Sequence, residues 1–189
     1  YRSLHPDSDF QERMQILEWL KAIGYQVGSG IMIGLPGQTL EDLAMDILKF
    51  KELELDMVGV GPFLPHPDTP LAGAYCGTAE MTLKVIALTR IVTRTAHLPA
   101  TTALATLRPE DGRDKALQAG ANVVMPNLTP MKYRELYEIY PDKICVNEEA
   151  EQSDSYIRRR IHLIGRSISD GYGHSLKNCK CDEAGNTDQ

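Results

Sequence analysis

Long apolar runs are missing from this 189-residue chain: no stretch approaches the ~18 consecutive apolar residues a membrane-spanning helix requires. The opening residues, YRSLHPDSDF, lack the charged-then-apolar layout of a secretion signal, so a cytoplasmic protein with no membrane partner is expected. Basic charge is in deficit, 20 Lys and Arg against 26 Asp and Glu, for a net charge of −6. Binding a phosphate backbone needs basic surface, and the one local cluster is Arg158, Arg159 and Arg160, so nucleic acid is not expected as a partner. Cysteine is scarce: Cys76, Cys145, Cys179 and Cys181 are too few and too uneven for a disulfide framework, which suits a reducing compartment. Cys179 and Cys181 form a CKC pair with no partner ligands nearby and read as exposed thiols of a polar tail. Ser-His-Asp spacing, paired catalytic carboxylates, a P-loop and zinc motifs are absent too, which leaves ordinary hydrolysis without machinery.

What is present is a globular composition, 42% hydrophobic and 24% charged, organised as alternating helical and extended patterns. Ser8 with Gln11 imitates a capping box ahead of Phe10, Met14, Leu17, Leu20 and Ile23, and Gly24 stops that helix. GSGIMIGLPG is too short for a helix and reads as a strand buried on both faces. A second helix follows, with Thr39 as cap, Asp42 at its third position and Leu40, Leu43, Ile47 and Leu48 as its inner face. DMVGVGPF is the next strand, and Thr82 to Thr93 a helix turning Leu83, Ile86, Ala87 and Ile91 inward. LPATTAL is a third strand, Gly112 to Ala119 a helix ended by Gly120, and NVVMPN a fourth strand. Thr129-Pro130 opens another helix, Tyr156 to Ile168 forms a closing amphipathic segment, and NCKCDEAGNTDQ is a disordered tail.

Strands alternating with helices imply a parallel sheet covered by helices. A closed eight-stranded barrel occupies ~250 residues, so about four parallel strands with flanking helices amount to half of one. A doubly wound domain is the alternative on periodicity, but the chain opens on a helix with no strand ahead of it.

In such architectures chemistry collects where strands end. The first end, GLPGQT from Gly34 to Thr39, permits close backbone approach to a ligand, or is simply a tight turn with a helix cap. The second, Gly61 to Leu71, is stiffened by four prolines and can hold His66 or Asp68 over a pocket, or is a rigid surface loop. The third places the adjacent hydroxyls of Thr101 and Thr102 at a strand terminus. The fourth brings Met125 and Asn127 to the mouth, with Tyr137 and Tyr140 beyond, although core packing serves Met125 and the tyrosines equally well.

Taken in order, GIMIGLPGQTLEDL, DMVGVGPFLPHPDTPL, LPATTA, AGANVVMPNLTP and YRELYEIYPDKICV closely resemble the C-terminal half of HydE, a family of radical S-adenosylmethionine [FeFe]-hydrogenase maturases. The resemblance runs from about Tyr1 to Val146 and more loosely through GYGHS; GLPGQT is common to many radical enzymes, whereas PHPDTPL, PATTA and VVMPNLTP are more particular. Biotin synthase and methylornithine synthase resemble the chain more distantly. The resemblance implies the C-terminal half of a radical S-adenosylmethionine (β/α)8 TIM-type barrel over 1–176, including a region like that associated with biotin and thiamin synthesis, and a disordered tail over 177–189.

It further implies S-adenosylmethionine and a [4Fe–4S] cluster held by a CxxxCxxC loop in the full-length parent; that loop is not in this sequence, so the chain alone is expected to be inactive. The implied activity is reductive cleavage of S-adenosylmethionine and processing of a small iron substrate carrying carbon monoxide, cyanide and cysteine during H-cluster assembly, alongside other hydrogenase maturases. Arg13 matches the arginine that pairs with the methionyl carboxylate, a role suited to a guanidinium fork. Gly34, Leu35, Pro36 and Gly37, with Met57 and Met125, match the adenosyl side; Thr101, Thr102, Tyr137 and Tyr140 match the substrate pocket, with His66 at its mouth. Cys145 matches the first ligand of an accessory iron–sulfur cluster whose partners EEAEQSDSY does not supply, so no accessory cluster is expected. The alternatives are a methylornithine synthase- or biotin synthase-like enzyme and a non-catalytic scaffold in cluster assembly.

Overall fold

The computed structural model describes residues 1–137, 139–144 and 150–178. Its elements run α1 (Phe10–Ala22), β1 (Gly28–Ile33), α2 (Leu40–Glu52), β2 (Met57–Pro62), α3 (Ala79–Thr93), α4 (Thr102–Leu107), α5 (Gly112–Ala119), α6 (Met131–Arg134) and α7 (Ala150–Leu163), with 3-10 turns at Glu135–Tyr137 and Leu176–Asn178. The fold is α/β. β1 and β2 pair in parallel, Gly28 opposite Met57 through Ile33 opposite Pro62. Two further extended segments continue the layer through single parallel bridges, Met57 to His97 and Pro99 to Val123. Val58 N–H donates to His97 O at 2.8 Å and Ala100 N–H to Val123 O at 2.8 Å, so all four segments lie side by side in chain order. Only the first two form a regular ladder; Pro99 has no N–H to donate to the ladder.

The sheet is covered on one face. Along β2 the alternation is strict: Val58, Val60 and Pro62 are buried while Met57, Gly59 and Gly61 are half-buried. The buried set packs with Ile33, Leu98 and Ala100 against Leu43, Ile47, Val85, Ile86, Leu104 and Leu117 from α2 to α5. Strand β1 departs from the expected two-sided burial, because Gly28, Gly30 and Met32 are exposed on the other face. Helices protect one side of the layer and leave the second bare.

The helices refine the pattern reading. Asp9, not Ser8, caps α1 by accepting from Gln11 and Glu12 N–H, and the Ser8 hydroxyl pairs with Tyr1 instead. Thr39 and Asp42 form the capping box of α2 as expected, but its buried face is Leu43, Ile47 and Phe50. Leu48 lies about 130° round the helix from that face and is exposed, as is Leu40 in the first turn. Helix α3 starts earlier, capped by Thr78, and buries Thr82, Val85, Ile86 and Thr89, which turns Ile91 to the opposite side. LPATTAL is not a strand throughout, since Thr101 caps α4 and the chain turns helical at Thr102. Helix α5 spans the expected Gly112–Ala119, with Gly120 at φ +128° ending it. The helix after Pro130 is a single turn, and α7 begins at Ala150 rather than Tyr156.

Below the sheet, at the strand starts, the GYGHS segment closes the fold. Gln26 Oε1 accepts from Ser175 N–H, His97 Nε2 meets His174 O at 2.8 Å, and Lys177 pairs with Asp56 at 3.4 Å. Lys177 is therefore anchored although the tail was expected to begin there; residues 179–189, with Cys179 and Cys181, lie outside the described residues.

Candidate functional site

A helix joined to the start of a parallel strand runs back along it. The Lys21 ammonium at the end of α1 bonds Leu53 O and Glu54, beside the start of β2, so the first turns of α1 lie toward the strand ends, where GLPGQT begins. Arg13 is exposed there. Its guanidinium neighbours the Tyr1 phenol, which is held below its ordinary pKa chiefly by the Ser8 hydroxyl and secondarily by Arg13.

The GLPGQT turn is tied by its own side chains. Gly34 takes φ +93°, a conformation that favours glycine, and its N–H donates to Gln38 Oε1 at 2.8 Å while Gln38 Nε2 donates to Met32 O at 3.0 Å. The proline-stiffened loop returns to this strand end: Phe63 N–H donates to Ile33 O, and Gly77 N–H to Phe63 O, both at 2.8 Å. Gly34 and Gly77 meet backbone to backbone; a Cβ on Gly77 would stand 2.9 Å from Phe63 N and closer still to Ile33 O. Within the loop His66 is mostly buried, and its Nδ1 accepts from Asp68 N–H at 3.1 Å, which leaves the ring proton on Nε2. Thr69 binds His66 O through both N–H and hydroxyl, so the loop is braced as well as stiff.

The uncovered face of the sheet is almost bare backbone. Gly28, Gly30 and Met32 of β1 stand opposite Met57, Gly59 and Gly61 of β2, and the Thr101 side chain packs where a Gly61 Cβ would be, 3.1 Å from Oγ1. Met57 opens β2, five residues before Pro62, about 17 Å from the end that carries the turn. The structure thus places Met57 at the far end of this face and Met125, 57% exposed, at the near end.

There, Thr102, Arg113, Met125, Asn127, Lys143 and Ile144 line a concavity of about 180 Å³. Arg134, 3% exposed, steadies its wall by donating from Nε to Thr129 O at 2.6 Å and from Nη2 to Asn127 O at 3.1 Å. Tyr137 reaches this region through its carbonyl, which accepts from Lys143 Nζ at 2.7 Å; its ring is exposed, and neither it nor Tyr140 is among the lining side chains. The structure therefore brings Thr102 and Met125 together, sets Thr101 beside them on the inner face, and leaves Arg13 and His66 on separate segments of the rim. Sequence reasoning did not single out Arg113, Lys143, Gln38 or Gly77. An arginine at a helix start, a lone lysine, a turn glutamine and a glycine outside any motif give no signal until the chain folds.

Among the described residues no group of three or more His, Cys, Asp or Glu side chains could hold a metal ion. Cys76 is exposed and Cys145 lies outside the described residues, so the described part of the chain offers no ligand set for an iron–sulfur cluster. A flat adenosyl group is another matter. Glycine backbone flanked by thioethers, beside a turn that admits close approach, suits it.

No family model matches the chain. It is 49% identical over 173 residues, 92% of its length, to the [FeFe] hydrogenase maturase subunit HydE of Thermotoga maritima, of which it covers 49%. It is 30% identical over 87% of its length to the 3-methylornithine synthase of Methanosarcina barkeri, covering 45% of that protein, and 30% identical over 49% of its length to the biotin synthase of Kocuria rhizophila, covering 19%. The chain spans about half the length of the first two relatives. With nearly half its residues identical over almost its whole length, the chain closely resembles about half of the [FeFe] hydrogenase maturase subunit HydE.

Proposed function

We propose that the chain serves as the C-terminal half of a HydE-type barrel, which as a whole cleaves S-adenosylmethionine reductively and processes an iron–CO–CN–cysteine precursor during H-cluster assembly, in concert with other maturases. The observation that carries this reading is the uncovered inner face: glycines at 28, 30, 59 and 61 with Met32 and Met57, ending at a rim of loops that bear polar side chains. A closed barrel would convert that face into a water-poor chamber, and containment is what a reactive cofactor requires of its protein. In this reading residues 1–176 form the barrel half, 177–189 its tail, and the four parallel segments its last four strands. A cytoplasmic location belongs to the same proposal. No helix among the described residues is long and apolar enough to cross a membrane.

S-adenosylmethionine, when bound, supplies the reactive adenosyl group. Arg13 pairs with its methionyl carboxylate, and Gly34 to Gly37 let the backbone approach the adenosine. Met125 at the rim and Met57 deeper in the chamber offer soft apolar contact without titratable groups. Thr101, Thr102, Tyr137 and Tyr140 hold the substrate, with the Nε2 proton of His66 available at the mouth. The described residues do not supply ligands for the [4Fe–4S] cluster. The likeness to 3-methylornithine synthase favours, as a second reading, a mutase that takes an amino acid into the same chamber.

The test is anaerobic reconstitution of the intact natural protein with iron and sulfide, followed by a reductive assay for S-adenosylmethionine cleavage. Cleavage is expected, and Arg13→Ala should weaken S-adenosylmethionine binding about tenfold, the scale of one charge-assisted pair. With cluster incorporation verified, absence of cleavage would overturn the enzyme reading in favour of a scaffold, and unchanged affinity would remove Arg13 from the cofactor site.

A further inference from the structure

Two histidines at the strand starts, at the opposite end of the sheet from the rim, carry the same arrangement. Asn122 Oδ1 accepts from Leu98 N–H at 2.8 Å and from Arg90 Nη2 at 3.0 Å, which turns its Nδ2 toward His97 Nδ1 at 3.2 Å. His97 Nε2 stands 2.8 Å from His174 O, and a carbonyl can only accept, so the ring proton is on Nε2 and Nδ1 is the acceptor. His174 repeats the pattern: Gln26 Oε1 accepts from Ser175 N–H at 2.6 Å, and Gln26 Nε2 therefore donates to His174 Nδ1 at 2.9 Å. Each ring is bound in its neutral form by a carboxamide whose oxygen a backbone N–H has fixed. Together these bonds seat segment 171–178 across the strand starts, with Ser175 fully buried beneath it.

We propose that the two rings form a pH-sensitive latch: neutral, they hold the C-terminal segment on the strand starts, and protonation of His97 and His174 releases that segment while the sheet stays folded. A proton added to Nδ1 turns the acceptor into a donor that faces the carboxamide N–H, and the bond is lost. Neither carboxamide can turn over to accept, because its nitrogen would then face Leu98 N–H or Ser175 N–H. The charged groups packed round the rings do not rescue the imidazolium. Arg90 of α3 bonds Asn122, and Arg166 beyond α7 acts on Arg90, so the charge beside His97 is positive. At the start of β2 the Asp56 carboxylate is taken by Val27 N–H and Lys177, and Glu54 by Lys21. Tyr172, tilted 6.0 Å from the His174 ring, is the remaining titratable neighbour. A bond made only by a neutral ring is complete above the ordinary histidine range, about pH 6.5, and lost as pH falls through it. The Asp56 anchor does not titrate there: burial raises its carboxyl, but Ser175, the Val27 N–H and Lys177 outweigh burial and keep it below its ordinary range.

The experiment uses the intact natural protein. With ¹⁵N-labelled histidine, both rings should show the Nε2–H tautomer at about pH 8, above the histidine range. Hydrogen exchange at the Ser175 amide is then followed down to about pH 5 and corrected for the intrinsic pH dependence of exchange. Its protection should fall at least about tenfold, the scale of one or two hydrogen bonds, while amides of β2 and α3 keep theirs. Asn122→Asp with Gln26→Glu supplies carboxylates that accept from the protonated rings, so this variant should hold its Ser175 protection in acid. That outcome separates a latch that reads the proton from a contact that merely packs. An Nδ1–H tautomer at either ring, unchanged Ser175 protection in the parent, loss of sheet protection in step with Ser175, or the same acid loss in the double variant would each overturn the proposal.

Discussion

Replacing Gly77 by alanine tests whether the rim is built by backbone packing. Gly77 holds the returning loop against both strand ends through its N–H bond to Phe63 O at 2.8 Å, and Phe63 is in turn bonded to Ile33 O. An added Cβ would come within 2.9 Å of Phe63 N and of the Ile33 carbonyl carbon, and nearer to the carbonyl oxygen, where ordinary contacts begin at 3.4 Å. The obstructing atoms are backbone, so no side chain can swing aside. Separation requires the loop to lift, which loses the Gly77 bond, worth about 1 kcal/mol, and adds overpacking strain of about 1–3 kcal/mol. The sum is about 2–4 kcal/mol. Urea denaturation of the intact protein should show the midpoint falling with little change in slope, as expected when stability alone changes. The lift would also move His66 and disturb Gly34, which meets Gly77 at the turn, so S-adenosylmethionine affinity should fall with stability. A Gly77→Ala protein within about 0.5 kcal/mol of the parent would refute the reasoning, since surface changes of no structural consequence have that size.

Two further perturbations probe the base of the sheet. Asn122 Oδ1 accepts from Leu98 N–H at 2.8 Å and Arg90 Nη2 at 3.0 Å, which orients its amide so that Nδ2 donates to His97 Nδ1. Asn122→Ala should cost about 1–2 kcal/mol in denaturation, and Asn122→Asp less, because the aspartate keeps the acceptor and loses only the donor to His97. At Asp56, burial raises the carboxyl pKa, but the neighbouring Ser175, the Val27 N–H and Lys177 outweigh it and hold the carboxyl below its ordinary range. A depressed folded-state pKa contributes stability that is present above the unfolded value and lost as pH falls toward the folded one. Acid titration of stability should therefore lose part of its slope in Asp56→Asn; an unchanged acid limb would remove Asp56 as an anchor of the C-terminal segment.

Much of the architecture was legible in the residues because local rules and tertiary packing agree there. GSGIMI and MVGVGP are short apolar runs bounded by turn residues, Thr39 and Asp42 are spaced for a capping box, and Gly120 supplies the positive φ that ends α5. Reading failed where two patterns competed. Leu48 and Ile91 look like core residues in a hydrophobic count, but the sheet covers only part of a helix's circumference, and the geometry of 3.6 residues per turn turns them out. Likewise, nothing local says that β1 has a bare face. A run such as GSGIMI is equally apolar whether helices cover one side or both.

The sequence determined the α/β class, the first two strands, the helices α2 and α5 and, through its strand-end motifs, the resemblance to HydE; these depend on periodicity, turn chemistry and residue identity along the chain. Tertiary structure decided which of those residues meet. It put Met57 at the far end of the inner face and Met125 at the rim, bound Gly77 against Gly34 across more than forty residues, and drew Arg113 and Lys143 into one concavity. Contacts of that kind are set by how helices pack on a sheet of finite width and by where backbone can touch backbone, and neither is a property of any local stretch of chain.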